Sequence, residues 1–389
     1  MKRVGFLFNH DAAHQAAHIA GIARELALSR PDIEVFALWS RKALCTVVEE
    51  ICGPEATRAI KWVKIEPSPG ARLIAPAVDR VLPFTRVMAL RRNLDLFATL
   101  DAIVSTERTC LMIKRELGAR SPKIVYVPHG AGDRNVSYHP EKAGFDLFLI
   151  SGRKYAEAGQ AMGLLGPDNW RIIGYPKFDA VLEGKPRPVL FDNGRPTFLY
   201  NPHFDPVLSS WYDMGPDLIR HFAAHPELGN LVVAPHVMLF RKRFHYSLEL
   251  KKLRRRPGIP KEAAAPNILV DTSSPRLFDM HYTLGADVYI GDVSSQVYEF
   301  LAIPRACFFL DSHGGQEIGG ENYRFWQFGP VARSVPELGQ MLPDWQAVAA
   351  RYEQVQREQF AYTMDESDVP ASKRGAAAIA EYVGAGAGA

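Results

Sequence analysis

Short apolar runs alternate with segments of helical periodicity along most of the chain. In the first half, apolar runs predict strands at Val4–Phe8, Val35–Trp39, Ala102–Ser105, Ile124–Val127, Leu147–Ser151 and Trp170–Ile173. Between them, Ala13–Leu28, Thr109–Leu117 and Tyr155–Leu165 have the spacing of amphipathic helices. Strands that alternate with helices in this way are typical of parallel sheets with crossover helices, and therefore of an α/β fold.

A stretch rich in turn residues and charge, from Glu183 to Pro196, interrupts the pattern. It then resumes with predicted strands at Thr197–Tyr200, Leu231–Ala234, Ile268–Val270, Asp287–Ile290 and Ala306–Leu310, and helices at Leu218–Ala224, Leu277–Leu284 and Ser295–Leu301. We therefore predict two Rossmann-like domains, 1–185 and 186–335, facing across a cleft. The predicted helices over 336–389 cross back to the first domain. Ligands of open α/β sheets bind at the carboxyl ends of the strands.

The composition narrows the class of protein. A chain of 389 residues with 47% apolar residues can bury a large core, and a net charge of +3 does not favour nucleic-acid binding. Its four cysteines form neither a CxxC pair nor a zinc-site spacing, which favours a reduced cytoplasmic protein. No apolar stretch is long enough to span a bilayer, so we expect at most peripheral attachment to the inner face of the membrane.

The segment Ala286–Ala302 carries the strongest motif. An apolar strand leads into Gly-Asp292-Val-Ser294-Ser295, and a predicted helix containing Glu299 follows. Serines at the start of a helix can cap it, and the N–H groups there can bind phosphate with help from the helix dipole. The motif therefore predicts a phosphate-binding turn, although Ser294 and Ser295 could also be plain capping residues.

Four further motifs also follow predicted strands at their carboxyl ends. They place chemically useful side chains at Pro-His129-Gly130, Pro-His236, Gly-Tyr-Pro-Lys177-Phe-Asp179 and Asn-Pro-His203. Histidine can act as a base near neutral pH or donate to a phosphate oxygen, and glycine allows a sharp turn. Because both halves contribute such residues, we predict a cleft active site. Each motif alone could equally be an ordinary loop.

Three histidines, His10, His14 and His18, share one face of the first predicted helix. The spacing could suit a metal, but no carboxylate pattern such as H-E-x-x-H accompanies it. We expect His10 at the mouth of the cleft and no metal site.

The segment Arg241–Arg256 contains eight cations with interleaved aromatic and aliphatic residues. We interpret it as a solvated helix face. Attraction to an anionic membrane surface or to a polyanionic acceptor is the alternative.

Taken in order, the motifs His-Gly, Gly-x-Pro-Lys-x-Asp, Tyr-x-Pro, Pro-His and Asp-x-Ser-Ser resemble those of the CDP-glycerol glycerophosphotransferases, the teichoic acid polymerase-like family. The resemblance covers residues 120–311. It departs from the family at Lys177, where arginine is usual, at Ala234–Val237, which lacks a cation and a proline, and at Val293, where an aromatic is usual. It therefore indicates a divergent member.

The resemblance implies a GT-B fold and a set of residue roles. His129 would be the catalytic base, His236 would contact the donor phosphates, and Ser294 and Ser295 would bind the pyrophosphate. Asp292 would shape their loop, and Glu299 would hold the ribose. Gly130, Lys177, Asp179 and His203 would line the cleft, as we expect of His10 from its place after the first strand. Neither a cofactor nor a metal is implied, which agrees with the lack of an Asp-x-Asp motif.

From these observations we predict a transferase of cell-envelope or capsule polymer synthesis. It would move a glycerol-phosphate, polyol-phosphate or glycosyl unit from a nucleotide-linked donor to a polymer, lipid-linked or saccharide acceptor. The alternatives are a nucleotide-sugar 2-epimerase or hydrolase on the same fold, and a non-catalytic nucleotide-binding relative.

Overall fold

The computed structural model describes residues 1–10, 13–79, 83–131, 138–179, 186–247, 251–312 and 321–385. The chain forms two compact units. The first comprises Met1–Gly184 with Ala361–Ala389, and the second comprises Lys185–Phe360.

The first unit is built on a seven-stranded parallel sheet in the order β3-β2-β1-β4-β5-β6-β7. Its strands are β1 (Lys2–Phe8), β2 (Ile33–Trp39), β3 (Lys61–Lys64), β4 (Ala102–Ser105), β5 (Lys123–Tyr126), β6 (Leu147–Ile150) and β7 (Trp170–Ile172). Its helices are α1 (Ala17–Ser29), α2 (Lys42–Ala59), α3 (Pro69–Val78), α4 (Phe84–Arg92), α5 (Leu94–Phe97), α6 (Leu111–Leu117) and α7 (Arg153–Ala161).

Both faces of this sheet are buried, as expected of a parallel sheet. Successive side chains of β1 alternate between two apolar layers: Phe6 packs into the layer that contains Ile19 of α1, and Leu7 packs into the layer that contains Ile113 of α6. The carboxyl ends of the central strands β1, β4 and β5 are therefore held at one rigid edge.

The second unit has a six-stranded parallel sheet and a separate antiparallel hairpin. Its strands are β8 (Thr197–Asn201), β9 (Asn230–Val233), β10 (Phe244–Ser247), β11 (Lys252–Arg255), β12 (Ile268–Val270), β13 (Val288–Gly291), β14 (Ala306–Leu310) and β15 (Val331–Ala332). Strands β10 and β11 form the hairpin, and the sheet order is β12-β9-β8-β13-β14-β15. The helices are α8 (Gly215–Ala224), α9 (His281–Gly285), α10 (Val297–Leu301) and α11 (Val335–Met341).

Two C-terminal helices complete the structure. Helix α12 (Trp345–Met364) begins in the second unit and ends in the first, and α13 (Ala371–Ala385) lies entirely in the first. Ala376, Ile379 and Ala380 of α13 pack into the same apolar layer as α1. In the part of the chain that the structure describes, no helix is both long enough and apolar enough to cross a membrane.

The α/β prediction is confirmed, and every predicted strand is present within a residue or two of its expected bounds. The structure corrects two expectations. The basic segment contributes two antiparallel strands, Phe244–Ser247 and Lys252–Arg255, in place of the expected helix face, and apolar and polar residues alternate in the first of them. Helices α1, α6, α9 and α10 begin two to four residues later than predicted, at Ala17, Leu111, His281 and Val297. The arrangement of the units across a cleft stays a prediction.

Candidate functional site

His129 lies at the carboxyl edge of the first sheet. It follows β5, and Thr106 and His10 follow the neighbouring strands β4 and β1. The Oγ1 atom of Thr106 is 3.0 Å from His10 Nε2, and the carbonyl oxygen of Thr106 is 3.3 Å from His129 Nδ1. Thr106 thus contacts both histidines.

These contacts fix the tautomer of His129. A carbonyl oxygen can only accept, so Nδ1 of His129 must carry the proton that it donates to Thr106. In the neutral ring Nε2 then has a lone pair, and Gln15 Nε2 lies 3.4 Å from it. The Tyr175 hydroxyl also donates to the His129 backbone carbonyl at 3.3 Å. The ring is therefore oriented with its basic nitrogen away from the Thr106 carbonyl.

The environment favours the neutral form of the His129 ring. The residue is exposed on one side, and the protein atoms around the rest of the ring partly desolvate it. This desolvation lowers the pKa of His129, while the negative charge of Glu107 acts in the opposite direction. A neutral imidazole at neutral pH can accept a proton.

His129 borders a cavity of about 220 Å³. The cavity is also lined by Glu107, Arg108, Lys142 and Tyr155. The sequence interpretation missed these four residues. Glu107 and Arg108 follow β4 at its carboxyl end, so the rule that identified His129 could have found them. Lys142 lies in a 3-10 turn, Pro140–Gly144, that has no distinctive sequence signal.

Lys142 is an unusual cation because it is buried. Burial lowers the pKa of Lys142 to about 8, with a further contribution from Arg108, while Glu107 opposes the shift. Its Nζ lies 4.8 Å from the centre of the Tyr126 ring, a cation–π distance. The Glu107 carboxylate lies 3.6 Å from Arg86. The cavity therefore combines a neutral base, a carboxylate and cations.

His10 is fully buried against Thr106, and its place at the mouth of the cleft stays a prediction. Gly130 lines the same cavity as His129. It does not have a positive φ, and a Cβ atom there would meet nothing within 4 Å, so its backbone does not require glycine. The His14 side chain falls outside the described part of the structure. Among the residues that are described, no group of three His, Cys, Asp or Glu side chains could hold a metal.

The Gly-x-Pro-Lys-x-Asp motif joins β7 to the C-terminal helix. The Asp179 carboxylate accepts the backbone N–H groups of Ala371 and Ser372 at 2.8 and 2.9 Å, and so caps α13. Gly174 has φ +83° and packs against Ala371. Lys177 lies in the short 3-10 turn between them. These contacts give Asp179 a structural role, and its position in the cleft stays a prediction.

In the second unit, His203 and His236 form a pair beyond the adjacent strands β8 and β9. Their ring centres are 5.5 Å apart. The Nδ1 atom of His203 accepts the N–H of Asp205 at 3.0 Å, and that of His236 accepts the N–H of Met238 at 3.2 Å. Because Nδ1 is an acceptor in both, the proton of each neutral ring is on Nε2. An Nε2–H group of this kind can donate to an anionic oxygen.

Asp292 ties the loop after β8 to the turn after β13. Its buried carboxylate accepts the N–H groups of His203 at 3.0 Å, Ser210 at 2.7 Å and Val293 at 2.8 Å, and the Ser210 hydroxyl at 2.9 Å. Burial raises the pKa of Asp292, and these donors oppose that rise. The contacts give Asp292 a structural role in fixing the loop that contains His203.

The serine turn differs from the predicted helix start. Ser294 is buried and its Oγ accepts the N–H of Gln296 at 3.3 Å, while Ser295 is exposed. Helix α10 has only five residues, so its dipole adds little to phosphate binding. Glu299 lies buried within this helix. Asn201, at the end of β8, reaches the turn through a 3.0 Å hydrogen bond to Gln296.

No protein-family model and no curated protein sequence matches the chain. Comparison with solved structures does find matches. The wall teichoic acid polymerase TagF is 14% identical with a TM-score of 0.65, over 100% of this chain and 90% of that one. A variant of TagF soaked with CDPG gives the same identity, coverage and TM-score.

Two further structures also match. A putative UDP-N-acetylglucosamine 2-epimerase from Listeria monocytogenes is 13% identical with a TM-score of 0.59, over 99% of this chain and 98% of that one. The S. aureus MnaA–UDP co-structure is 13% identical with a TM-score of 0.56, over 100% and 97%. At these identities the likeness concerns the fold. It confirms that the chain has the GT-B type of α/β fold.

Proposed function

We propose that this protein is a transferase of cell-envelope or capsule polymer synthesis. It would move a glycerol-phosphate, polyol-phosphate or glycosyl unit from a nucleotide-linked donor to a hydroxyl of a polymer, lipid-linked or saccharide acceptor. The observation that carries the proposal is the His203–His236 pair, whose Nε2–H groups are fixed as donors by backbone contacts to both Nδ1 atoms. Such a pair suits the phosphates of an activated donor.

The second unit would bind the donor. His203 and His236 would donate to phosphate oxygens, together with the N–H groups of the turn that contains Ser294 and Ser295, while Glu299 would hold the ribose. As the leaving nucleotide gains negative charge, donors held in place before the reaction stabilise that charge at little reorganisation cost. Asp292 would act indirectly, since it anchors the His203 loop.

The first unit would activate the acceptor. With CDP-glycerol as donor, Nε2 of His129 would take the proton of the acceptor hydroxyl, and the resulting oxygen would attack the phosphorus of the glycerol phosphate. The bond from that phosphorus to the oxygen shared with CMP would break, and CMP would leave with the electron pair. The His129 tautomer supports this role because Nδ1 already donates to Thr106.

The donor site is tested with calorimetric titration of CDP-glycerol. We expect His203→Ala and His236→Ala each to weaken binding by roughly tenfold or more, as for loss of a hydrogen bond to a charged group. His225→Ala is the matched control, because this half-exposed histidine lies elsewhere in the same unit. Equal affinity in all three variants and the parent protein would refute the donor site. A thermal-shift panel of CDP-, UDP-, GDP- and CMP-linked compounds identifies the nucleotide.

Turnover is measured separately, as CMP release in the presence of a glycerol-phosphate primer. Binding of CDP-glycerol or another linked nucleotide without turnover on any acceptor would favour a non-catalytic relative. If none of the nucleotide-linked compounds binds or turns over, the proposal is wrong.

The cavity of the first unit favours a second candidate, a nucleotide-sugar 2-epimerase or hydrolase. Such an enzyme needs acid and base groups beside the sugar, and Glu107 lines the same cavity as His129. This candidate predicts that UDP-N-acetylglucosamine, incubated with the protein and no acceptor, is epimerised or hydrolysed. Unchanged substrate would exclude it.

A further inference from the structure

We propose that the β10–β11 hairpin is a binding site for the surface of an anionic lipid bilayer. The site, called here the basic hairpin, comprises residues 241–247 and 251–256. It neither depends on the transferase proposal nor tests it, since it lies outside the residues proposed to bind donor or acceptor.

The inner face of the basic hairpin is anchored to the second unit. His245 is buried and its Nε2 lies 2.9 Å from the Leu239 carbonyl oxygen. Arg254, opposite it in the hairpin, donates to both oxygens of Asp213 at 2.8 and 2.5 Å. Side chains alternate between the two faces of a strand. Anchoring His245 and Arg254 inward therefore directs their neighbours outward.

The outward face is apolar. Phe244, Tyr246 and Leu253 are 55%, 52% and 63% exposed, and Tyr246 is paired directly with Leu253. In the described part of the chain, five of the eleven exposed large apolar side chains lie between Met238 and Ile259. Exposed apolar residues scattered singly are ordinary, whereas a concentration of them marks an interaction surface.

Exposed cations lie in the same two segments as this apolar face. They are Arg241, Lys242, Arg243, Lys251, Lys252 and Arg255. Within the described residues none of the six forms an ion pair with a carboxylate, whereas Arg254 pairs with Asp213. The basic hairpin holds eight of the 46 cations of the chain, so the rest of the chain has 38 cations and 43 carboxylates and a net charge of −5. The positive charge is therefore concentrated locally in the basic hairpin.

A bilayer fits this combination better than other partners do. Cations attract anionic headgroups, and apolar side chains among them enter the interfacial region below. A soluble polyanion would use the cations but leave Phe244, Tyr246 and Leu253 in water. A second copy of the chain would bring six like charges against six, which is repulsive. The apolar face thus favours lipid.

Vesicle co-sedimentation of the full chain tests the site. We expect binding to vesicles of phosphatidylcholine with phosphatidylglycerol, and at least about tenfold weaker binding to pure phosphatidylcholine. Phe244→Ser with Leu253→Ser should weaken binding to the anionic vesicles about tenfold or more. Arg243→Gln with Lys251→Gln should do the same, by loss of charge.

Matched variants keep the test specific. Ile303→Ser removes an exposed apolar side chain elsewhere in the same unit, and Arg324→Gln with Lys373→Gln removes two exposed cations from other segments. Both should bind vesicles like the parent protein. One result would overturn the lipid proposal in favour of a polyanion site. In it, the Phe244→Ser, Leu253→Ser variant binds anionic vesicles like the parent protein. The Arg243→Gln, Lys251→Gln variant binds both vesicles and soluble polyphosphate more weakly. Absence of vesicle binding by the parent protein overturns it as well.

Discussion

The carbonyl oxygen of Thr106 lies 3.3 Å from Nδ1 of His129 and leaves the other ring nitrogen as the base. We expect His129→Ala to lower CMP release from CDP-glycerol by roughly 10²–10⁴-fold, the usual contribution of a general base. Calorimetric affinity for CDP-glycerol should not change, because the proposed donor site is in the other unit. His225→Ala is again the control. Near-parental turnover of His129→Ala would show that the base lies elsewhere.

The pH dependence of transfer should have two limbs. His129 is active as the neutral ring, so the rate should rise as pH increases through its pKa, which is lowered below the usual value. If the charge of Lys142 holds an acceptor anion, the rate should fall again above about pH 8, where Lys142 loses its proton. Arginine stays charged over this range, so Lys142→Arg should move the alkaline limb upward. If the parent protein and the Lys142→Arg variant have the same alkaline limb, Lys142 does not take part in the mechanism.

Asp292→Asn should destabilise the protein by roughly 1–3 kcal/mol, the cost of leaving a buried donor without an acceptor. Both carboxylate oxygens accept backbone N–H groups, which belong to His203, Ser210 and Val293. The amide nitrogen of asparagine would therefore face one of these N–H groups in either orientation of the side chain. Urea unfolding measures the loss. The exposed Asp344→Asn serves as control and should unfold like the parent protein. A stable Asp292→Asn variant would mean that the loop is held by other contacts.

Asp179→Ala separates a capping role from a binding role. Loss of the two N–H contacts at the start of α13 should cost about 1 kcal/mol of stability. Affinity for CDP-glycerol should not change. The opposite result, parental stability with weaker binding of CDP-glycerol, would show that Asp179 belongs to the binding site.

Gly130, which follows β5, and Gly174, which follows β7, should respond differently to substitution by alanine. Gly130→Ala should be tolerated, because its backbone is not in the left-handed region and nothing lies within 4 Å of a Cβ there. Gly174→Ala should destabilise by about 1–2 kcal/mol, since φ is +83° and its Cβ would lie 3.3 Å from that of Ala371. Thermal unfolding of the two variants tests this prediction. Similar melting temperatures for Gly130→Ala and Gly174→Ala would contradict it.

The fold was predictable because its signals are local. The apolar runs of strands such as β1 and β13 are short, bounded by turn residues and buried on both faces, so length and composition identify them. Helix α2 was not predicted, since Gly53 and Pro54 interrupt its pattern with a kink at Gly53. The basic hairpin was interpreted as a helix face because its cations obscured the two-residue alternation.

The candidate site was only partly predictable. Strand ends identified His129, His203 and His236 as chemically useful residues, and the sheet order places His203 beside His236. The tautomers could not be foreseen, because they depend on backbone groups such as the N–H of Met238. Lys142 was missed for a similar reason. Its burial comes from tertiary packing around the 3-10 turn.

The path of α12 and α13 has a consequence for biosynthesis. Ile379 and Ala380 complete an apolar layer whose other members begin at Val4, so the first unit needs two segments that lie far apart in the sequence. The second unit is continuous and leaves the ribosome earlier than Ile379 and Ala380. It can therefore fold during translation, whereas the first must wait with part of its core open until α13 has been synthesised. Truncation before Ala371 should accordingly expose the first unit to proteases while the second stays protected.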